Sequence, residues 1–464
     1  MLWGQALNLR TDLTRLKEAA PHLAERLDTI RTDLDTPLPD SSQNPLDLSG
    51  DTTPGDARRR QEVLELRRCR AREWDQTLTE VRAREGFENF LAPTPYTELA
   101  TAAVDGPVVL VNTSRYGCHA LIVHPGRQQP QVVSLPDLNA DTTIDLANQL
   151  LQALERSHGT RLEREKDRRE VLDVLDWLWD AIAEPVLTSL EYTAPLPADG
   201  PWPRVWWCPT GALSVLPIHA AGHHPRHRTT AGVAGEGATV PDRVVSSCTP
   251  TLTALVRARE PGQPGPVPQL TIGMPTTPGL GPLPAVTDEL AVLASHFPPG
   301  KTNAQLVESE ATRKAVLDAI TTHPWVHLAC HAGQAQDDPT LSGFALWDGP
   351  LTIADLTATP TQSRDLAFLS ACQTTTGAFR QLDEATHLAA AMLFLGYRHV
   401  IATMWTIADS PAPDVADGVY ATLSTNGTPE ADKTARALHD TVHDLRKQDP
   451  TDPLLWAPYT HLGA

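Results

Sequence analysis

Residues 269–464 alternate short apolar runs with amphipathic stretches, and this alternation limits the fold more than any other feature. The runs Gln269–Met274, Ala304–Val307, Trp325–His331, Leu366–Cys372 and His399–Trp405 have the length and branching of strands. Between and after them, helical spacing appears near Val286–Phe297, Ala311–Ile320, Asp383–Leu395, Pro411–Leu423 and Ala431–Arg446. Gly343–Trp347, Asp348-Gly349 and Pro350–Ile353 read as a small hairpin with an Asp-Gly turn. Alternating β and α units imply an α/β fold, with a mostly parallel sheet flanked by helices.

Two of these strands end in reactive residues. One closes on His331 and another on Cys372. Sites in open α/β sheets lie at the carboxyl ends of strands, and consecutive strands are usually neighbours. A thiol becomes a stronger nucleophile once an imidazole accepts its proton, and the same imidazole can later protonate a leaving amine. The residues alone leave a plainer alternative open, with Cys372 a small buried hydrophobe and His331 a satisfied core histidine.

The rest of the chain differs in texture. Leu2, Ala6, Leu9, Leu13 and Leu16, then Leu23, Leu27, Ile30 and Leu34, repeat at helical spacing, and Trp74, Leu78 and Val81 resume it. The Pro- and Asp-rich stretch between residues 35 and 56 separates them as a link. After Pro93, strands are expected at Pro107–Asn112, Cys118–Val123, Gln131–Ser134 and Arg204–Cys208, with helices around Ile144–Leu154 and Val171–Ile182. Two Gly/Pro-rich stretches, His219–Asp242 and Glu260–Pro268, read as surface loops. A chain of 464 residues exceeds the usual size of one domain. The expected division is a helical segment over 1–93, one α/β half over 94–268 and a second over 269–464.

A net charge of -19 argues against nucleic acid or an anionic membrane as partner, since phosphates would be repelled. The arginines between 58 and 72 are interrupted by Glu62 and Glu65 and read as a solvated helix face. Six scattered cysteines include no C-x-x-C pair. No signal-like start and no apolar stretch of membrane-spanning length is present. A cytoplasmic, reduced protein is the expectation.

Several segments resemble one family. His327-Leu-Ala-Cys-His-Ala-Gly333 is similar to the H-F-A-C/T-H-G element of CHAT domains, and Leu369-Ser-Ala-Cys-Gln-Thr374 to their L-S-A-C-x-T element. Gly396–Trp405, Cys208–Ile218, Leu283–Glu289, Glu310–Thr312 and Leu455–Gly463 resemble further family segments, in order, from about residue 200 to 464. The resemblance implies a caspase-like fold that pairs a degenerate half with an active one, kinship with caspases and separases, and a cysteine endopeptidase acting on a protein substrate without cofactor or metal. It assigns Cys372 as nucleophile, His331 as general base and acid, and the backbone N–H groups of Ala332 and Cys372 as holders of the oxyanion. Ala332 stands where many relatives have glycine; alanine keeps the N–H but narrows the backbone angles. Trp405-Thr-Ile-Ala-Asp409 is similar to a separase stretch whose last acidic residue meets a P1 arginine. Asp409 therefore implies a basic P1, unless it only caps the following helix. Trp405, Asp383 and Glu384 complete the expected substrate-binding set. The N-terminal helices resemble the end of a tetratricopeptide-like array, whose upstream repeats are absent or supplied by a separate chain, and imply a docking surface for a regulatory protein. Related proteins act in regulated proteolysis in bacterial defence or cell death.

Other readings compete. A catalytically silent relative would serve as a protein-binding scaffold or sensor, although such a protein need not keep both His331 and Cys372. His327 shares the face of His331 but sits back in the sheet, which suits a structural role, and Cys330 belongs to the opposite face. A zinc site from His327, Cys330 and His331 lacks a second ligand pair. His219, His223, His224 and His227 form a histidine-rich loop that could at most hold a metal weakly.

Overall fold

The structure is a computed structural model that describes residues 16–17, 19–35, 69–70, 72–88, 90–91, 94–156, 161–197, 200–226, 238–262, 267–300, 303–333, 341–359, 364–374, 388–405, 411–424 and 429–464. The chain divides into two compact units, Met1–Thr94 and Pro95–Ala464.

The first unit is helical. Helix α1 (Pro21–Asp35) opens with proline at its first position, where no intrahelical donor is needed. Residues 72–82 form a second helical stretch. Leu16, Leu23, Leu27, Val81 and Phe90 are buried together, with Trp74 and Leu78 packed beside them. The apolar spacing read from the sequence is thus the spacing that builds this small core. The expected stripe from Leu2 to Leu13 and the link at 36–56 lie outside the described residues.

The second unit is built on one sheet. Its strands are β1 (Val108–Asn112), β2 (His119–Val123), β3 (Gln131–Ser134), β4 (Arg204–Pro209), β5 (Val245–Cys248), β6 (Gln269–Gly273), β7 (Ala304–Val307), β8 (Trp325–Gly333), β9 (Gly343–Leu346), β10 (Gly349–Thr352), β11 (Leu366–Thr374), β12 (His399–Thr403) and β13 (Tyr459–Gly463). In the C-terminal half the order is β7-β6-β8-β11-β12-β13, parallel except for β13. The β9–β10 hairpin pairs with the end of β8. In the N-terminal half β5, β4 and β1 are parallel, while β2 and β3 continue as an antiparallel meander. The halves join where β13 pairs with β5. Neither joining strand was among those expected, because Val245-Ser-Ser-Cys248 and Tyr459-Thr-His-Leu-Gly463 are short and interrupted by adjacent polar residues. They are strands through the company they keep. Gly463 has φ 114°, and a Cβ there would strike the carbonyl of Arg398, so the last strand closes only with glycine.

The main helices are α2 (Ala140–Arg156), α3 (Arg161–Leu178), α4 (Leu252–Ala258), α5 (Ala285–His296), α6 (Arg313–Ile320), α7 (Leu388–Phe394), α8 (Ala412–Leu423) and α9 (Thr434–Gln448). Thr251 and Thr312 cap α4 and α6, each side chain accepting an N–H from the first turn. One face of the C-terminal half carries α5, α8 and α9, whose Leu293, Val419, Tyr420 and Leu438 bury Trp325, Phe368 and Ile401. In the N-terminal half, α2 and α3 cover Val109, Val111 and Trp207, while Leu255 of α4 packs on the other face with Val108 and Trp206. Six consecutive buried residues open β8, as expected of a strand covered on both faces.

The stretch His219–Asp242, expected as a surface loop, is partly interior. Ala220, Ala221, His224, Thr239 and Val240 are buried, and Gly222 bridges to Thr239. Hydrogen bonding makes this possible: Gly222 N–H reaches Leu175 O and Val240 N–H reaches Ala221 O, so these interior groups are paired without water.

Candidate active site

β8 and β11 are central, parallel and in register over nine residues, from Leu366 opposite Trp325 to Thr374 opposite Gly333. Cys372 stands opposite His331 in this ladder. Both positions lie at the carboxyl ends of their strands and belong to the same face of the sheet. His331 is half-buried. Its Nε2 is 2.7 Å from the carbonyl oxygen of Gly281. A carbonyl only accepts, so Nε2 carries the hydrogen of that bond, and the neutral ring is left with Nδ1 as its acceptor. The loop that presents Gly281 runs from β6 to α5 and is closed by Leu283 N–H to Pro275 O at 2.8 Å and Leu280 N–H to Thr277 O at 3.1 Å. A fixed carbonyl on one nitrogen of an imidazole leaves the other to take a proton, which is the arrangement a general base needs.

Ala332 is buried in the ladder between Phe344 of β9 and Gln373 of β11. Trp405 is buried in the N-terminal half's core cluster, with Trp456 and Ala457, and its indole N–H has no partner among the described residues. Asp383, Glu384 and Asp409 lie outside the described residues.

Beneath the His331–Cys372 level lies a polar cluster that the sequence reading did not assemble. His327 is wholly buried; its Nε2 is 2.9 Å from Glu289 Oε1, and its Nδ1 is 3.1 Å from the Tyr420 hydroxyl. Ser370 Oγ donates to the other oxygen, Glu289 Oε2, at 3.0 Å. The Phe368 ring packs on His327 at 4.6 Å between centroids. Burial pushes the Tyr420 hydroxyl well above its ordinary range, and the nearby Glu289 adds to this, while a hydrogen bond with Gln269 opposes it. Tyr420 therefore stays protonated. His327 was expected to be structural; it is wholly buried, with partners on both ring nitrogens. Ser370 and Glu289 both fall inside segments that resemble CHAT elements, which was the one signal available for them. Nothing in the sequence pointed to Tyr420 or Gly281.

The loop histidines have partners. His219 Nε2 is 3.0 Å from Ala457 O, His224 Nε2 is 2.9 Å from Ala220 O, and His223 lies between Asp176 and Asp180. His227 is outside the described residues. Among the described residues no group of His, Cys, Asp and Glu is placed to hold a metal ion. No described helix is long and apolar enough to cross a membrane.

Comparison with known proteins agrees with this architecture. The CHAT domain family matches residues 172–464, more than half of the chain, and the chain belongs to that family. The separase of a Saccharomyces cerevisiae separase–securin complex superposes with a TM-score of 0.53 at 10% identity, covering 89% of this chain and 34% of that one. The chain thus spans about a third of the separase, and the likeness shows a shared fold. The Arg-specific cysteine proteinase gingipain R aligns over 64% of this chain and 74% of its own at 12% identity, with a TM-score of 0.38. No curated protein matches in sequence.

Proposed function

We propose that the chain is a cysteine endopeptidase in which Cys372 and His331 act as a dyad. The observation that carries the reading is the register of β8 and β11, which sets position 372 beside position 331, together with the carbonyl of Gly281 on His331 Nε2. In this reading Nδ1 of His331 takes the thiol proton, and the thiolate attacks the scissile carbonyl. The protonated imidazole then gives its proton to the leaving amine, and water hydrolyses the thioester. The backbone N–H groups of Ala332 and Cys372 remain the proposed donors to the oxyanion. Membership of the CHAT family and a separase-like fold support peptide-bond chemistry over other uses of a thiol. The substrate is a protein, cleaved after a basic residue if Asp409 lines the S1 pocket. The N-terminal helical unit serves as a docking surface for a regulatory protein, so deleting residues 1–93 should lose a partner and leave the chemistry.

The test is a proteome-wide search for new amino termini after incubation with the purified chain or its Cys372→Ala form. Cleavage sites made by the native chain and missing with Cys372→Ala support the proposal. Identical sets from both would end it.

A further inference from the structure

The dyad strands are tied together one level below the reacting groups, and the tie comes from a single helix. Glu289 of α5 is 1% exposed, and its two oxygens engage different strands. Oε1 meets His327 of β8, and Oε2 accepts from Ser370 of β11. In the ladder, His327 is opposite Phe368 and Ala329 is opposite Ser370, so the carboxylate spans both strands directly behind the His331–Cys372 level. Burying a carboxyl group and an imidazole together is expensive, so their contact is weak evidence of stability. Its value is geometric, since each partner is fixed in direction as well as distance.

The same segment also reaches the reacting level. The loop 275–284 leads straight into α5 and presents the Gly281 carbonyl to His331. α5 is seated tightly on the sheet. At Gly273, at the end of β6, a Cβ would lie 2.6 Å from Leu290 Cδ2, so the helix approaches as closely as glycine permits. The segment Pro275–His296 therefore touches the dyad strands at two levels: Gly281 above and Glu289 below.

Building on the proposed dyad, we infer that Glu289 is a positioning residue for it. Its carboxylate fixes β8 against β11 and, through α5, holds the Gly281 carbonyl on His331. Displacement of α5 would loosen both contacts at once. Glu289 does not touch substrate and takes no proton in the reaction.

The test needs no substrate. Iodoacetamide alkylation of the full chain is followed across pH 5–9 by mass spectrometry of the peptide containing Cys372. The native thiol should react at acidic pH, and His331→Ala should move its midpoint to that of an ordinary thiol, near about 8.5. Glu289→Ala should shift the profile the same way and slow alkylation at pH 6 by roughly 10–100-fold, the scale on which small misplacements act. Ser370→Ala, which keeps the His327–Glu289 contact, and Gly273→Ala, which pushes on Leu290, should give smaller shifts in the same direction. They carry the test if Glu289→Ala fails to fold. Leu255→Ala on α4, a buried residue of the N-terminal half away from the cluster, should lower the melting temperature and leave the profile native. Glu289→Ala or both milder variants folded with a native profile, while His331→Ala shifts, would overturn the inference alone. An unshifted His331→Ala would overturn the dyad itself, and the inference with it.

Discussion

Each half of the sheet places a cysteine on a central parallel strand, and the two cysteines stand opposite different kinds of residue. Cys208 of β4 stands opposite Leu110 of β1; Cys372 of β11 stands opposite His331 of β8. Cys208 is buried, with its sulfur 3.6 Å from Pro250 O. Burial pushes its thiol up to about 12, and the nearby Cys248 adds to the rise. Such a thiol is a packing group. Under the proposed dyad, strand-end position alone does not make a nucleophile, and the register partner is what separates the two cysteines. If the dyad holds, the expected division between a degenerate and an active half would rest on this difference, one ladder supplying an imidazole and the other an isobutyl group.

The largest expected effect tests that contrast directly. Cys372→Ala should lower proteolysis by roughly three orders of magnitude or more, as loss of a covalent nucleophile does. Cys208→Ala and Cys330→Ala should keep most of the activity, because Cys330 belongs to the opposite face of β8 from His331 and is buried. The readout is cleavage of any substrate found by the proteome search, with folding checked by thermal melting. A folded Cys208→Ala or Cys330→Ala as inactive as Cys372→Ala would erase the distinction between the halves.

The legibility of the sequence follows the same division. β8 and β11 announce themselves because strands covered on both faces are unbroken apolar runs, and their reactive ends stand out against that background. Their register, and so the pairing of positions 331 and 372, is a property of two distant segments that no single run contains. The Glu289–His327–Ser370–Tyr420 cluster could not be assembled from the sequence for a related reason: its four members come from α5, β8, β11 and α8. β5 and β13 were missed because their strand character comes from pairing with each other and with their neighbours. The expected surface loop after Ile218 became partly interior because its backbone groups find internal partners, which composition does not reveal.

A second, smaller effect would sharpen the active side of the comparison. If Asp409 meets a basic P1 side chain, Asp409→Ala should reduce the preference for Arg over a neutral residue by about 10–100-fold, the worth of a charge-assisted pair. A positional-scanning peptide library reads this directly. An unchanged P1 profile would reduce Asp409 to the helix-capping role and leave Asp383 and Glu384 as the acidic candidates.

The smallest effect concerns the seam where the halves meet. His461 of β13 lies with Nε2 3.3 Å from His399 Nδ1 and with Nδ1 2.8 Å from Ser247 Oγ. Burial holds His461 well below the ordinary imidazole range, and the neighbouring His399 and Arg204 reinforce this. Burial also lowers His399, although Asp432 pulls the other way. Nearby, burial lowers His219 to about 4 and His439 to about 3. These imidazoles are neutral in the folded chain, whereas in the unfolded chain each titrates near about 6.5. Below that pH the unfolded chain binds protons that the folded chain refuses, so stability is fully present above it and is lost as pH falls toward the folded values. Between pH 6.5 and 5 each such group can remove at most about 2 kcal/mol, less where solvent reaches it. Urea unfolding midpoints measured at intervals from pH 7.5 to 5 should therefore fall steadily. His461→Gln should flatten that fall by up to one proton's worth of slope, even if it lowers the midpoint at pH 7.5. A native midpoint constant down to pH 5 would remove the seam as an acid-sensitive junction. The same slope in native and His461→Gln chains would assign the sensitivity to other histidines, and the two halves would then be joined by a seam no more titratable than the sheet on either side.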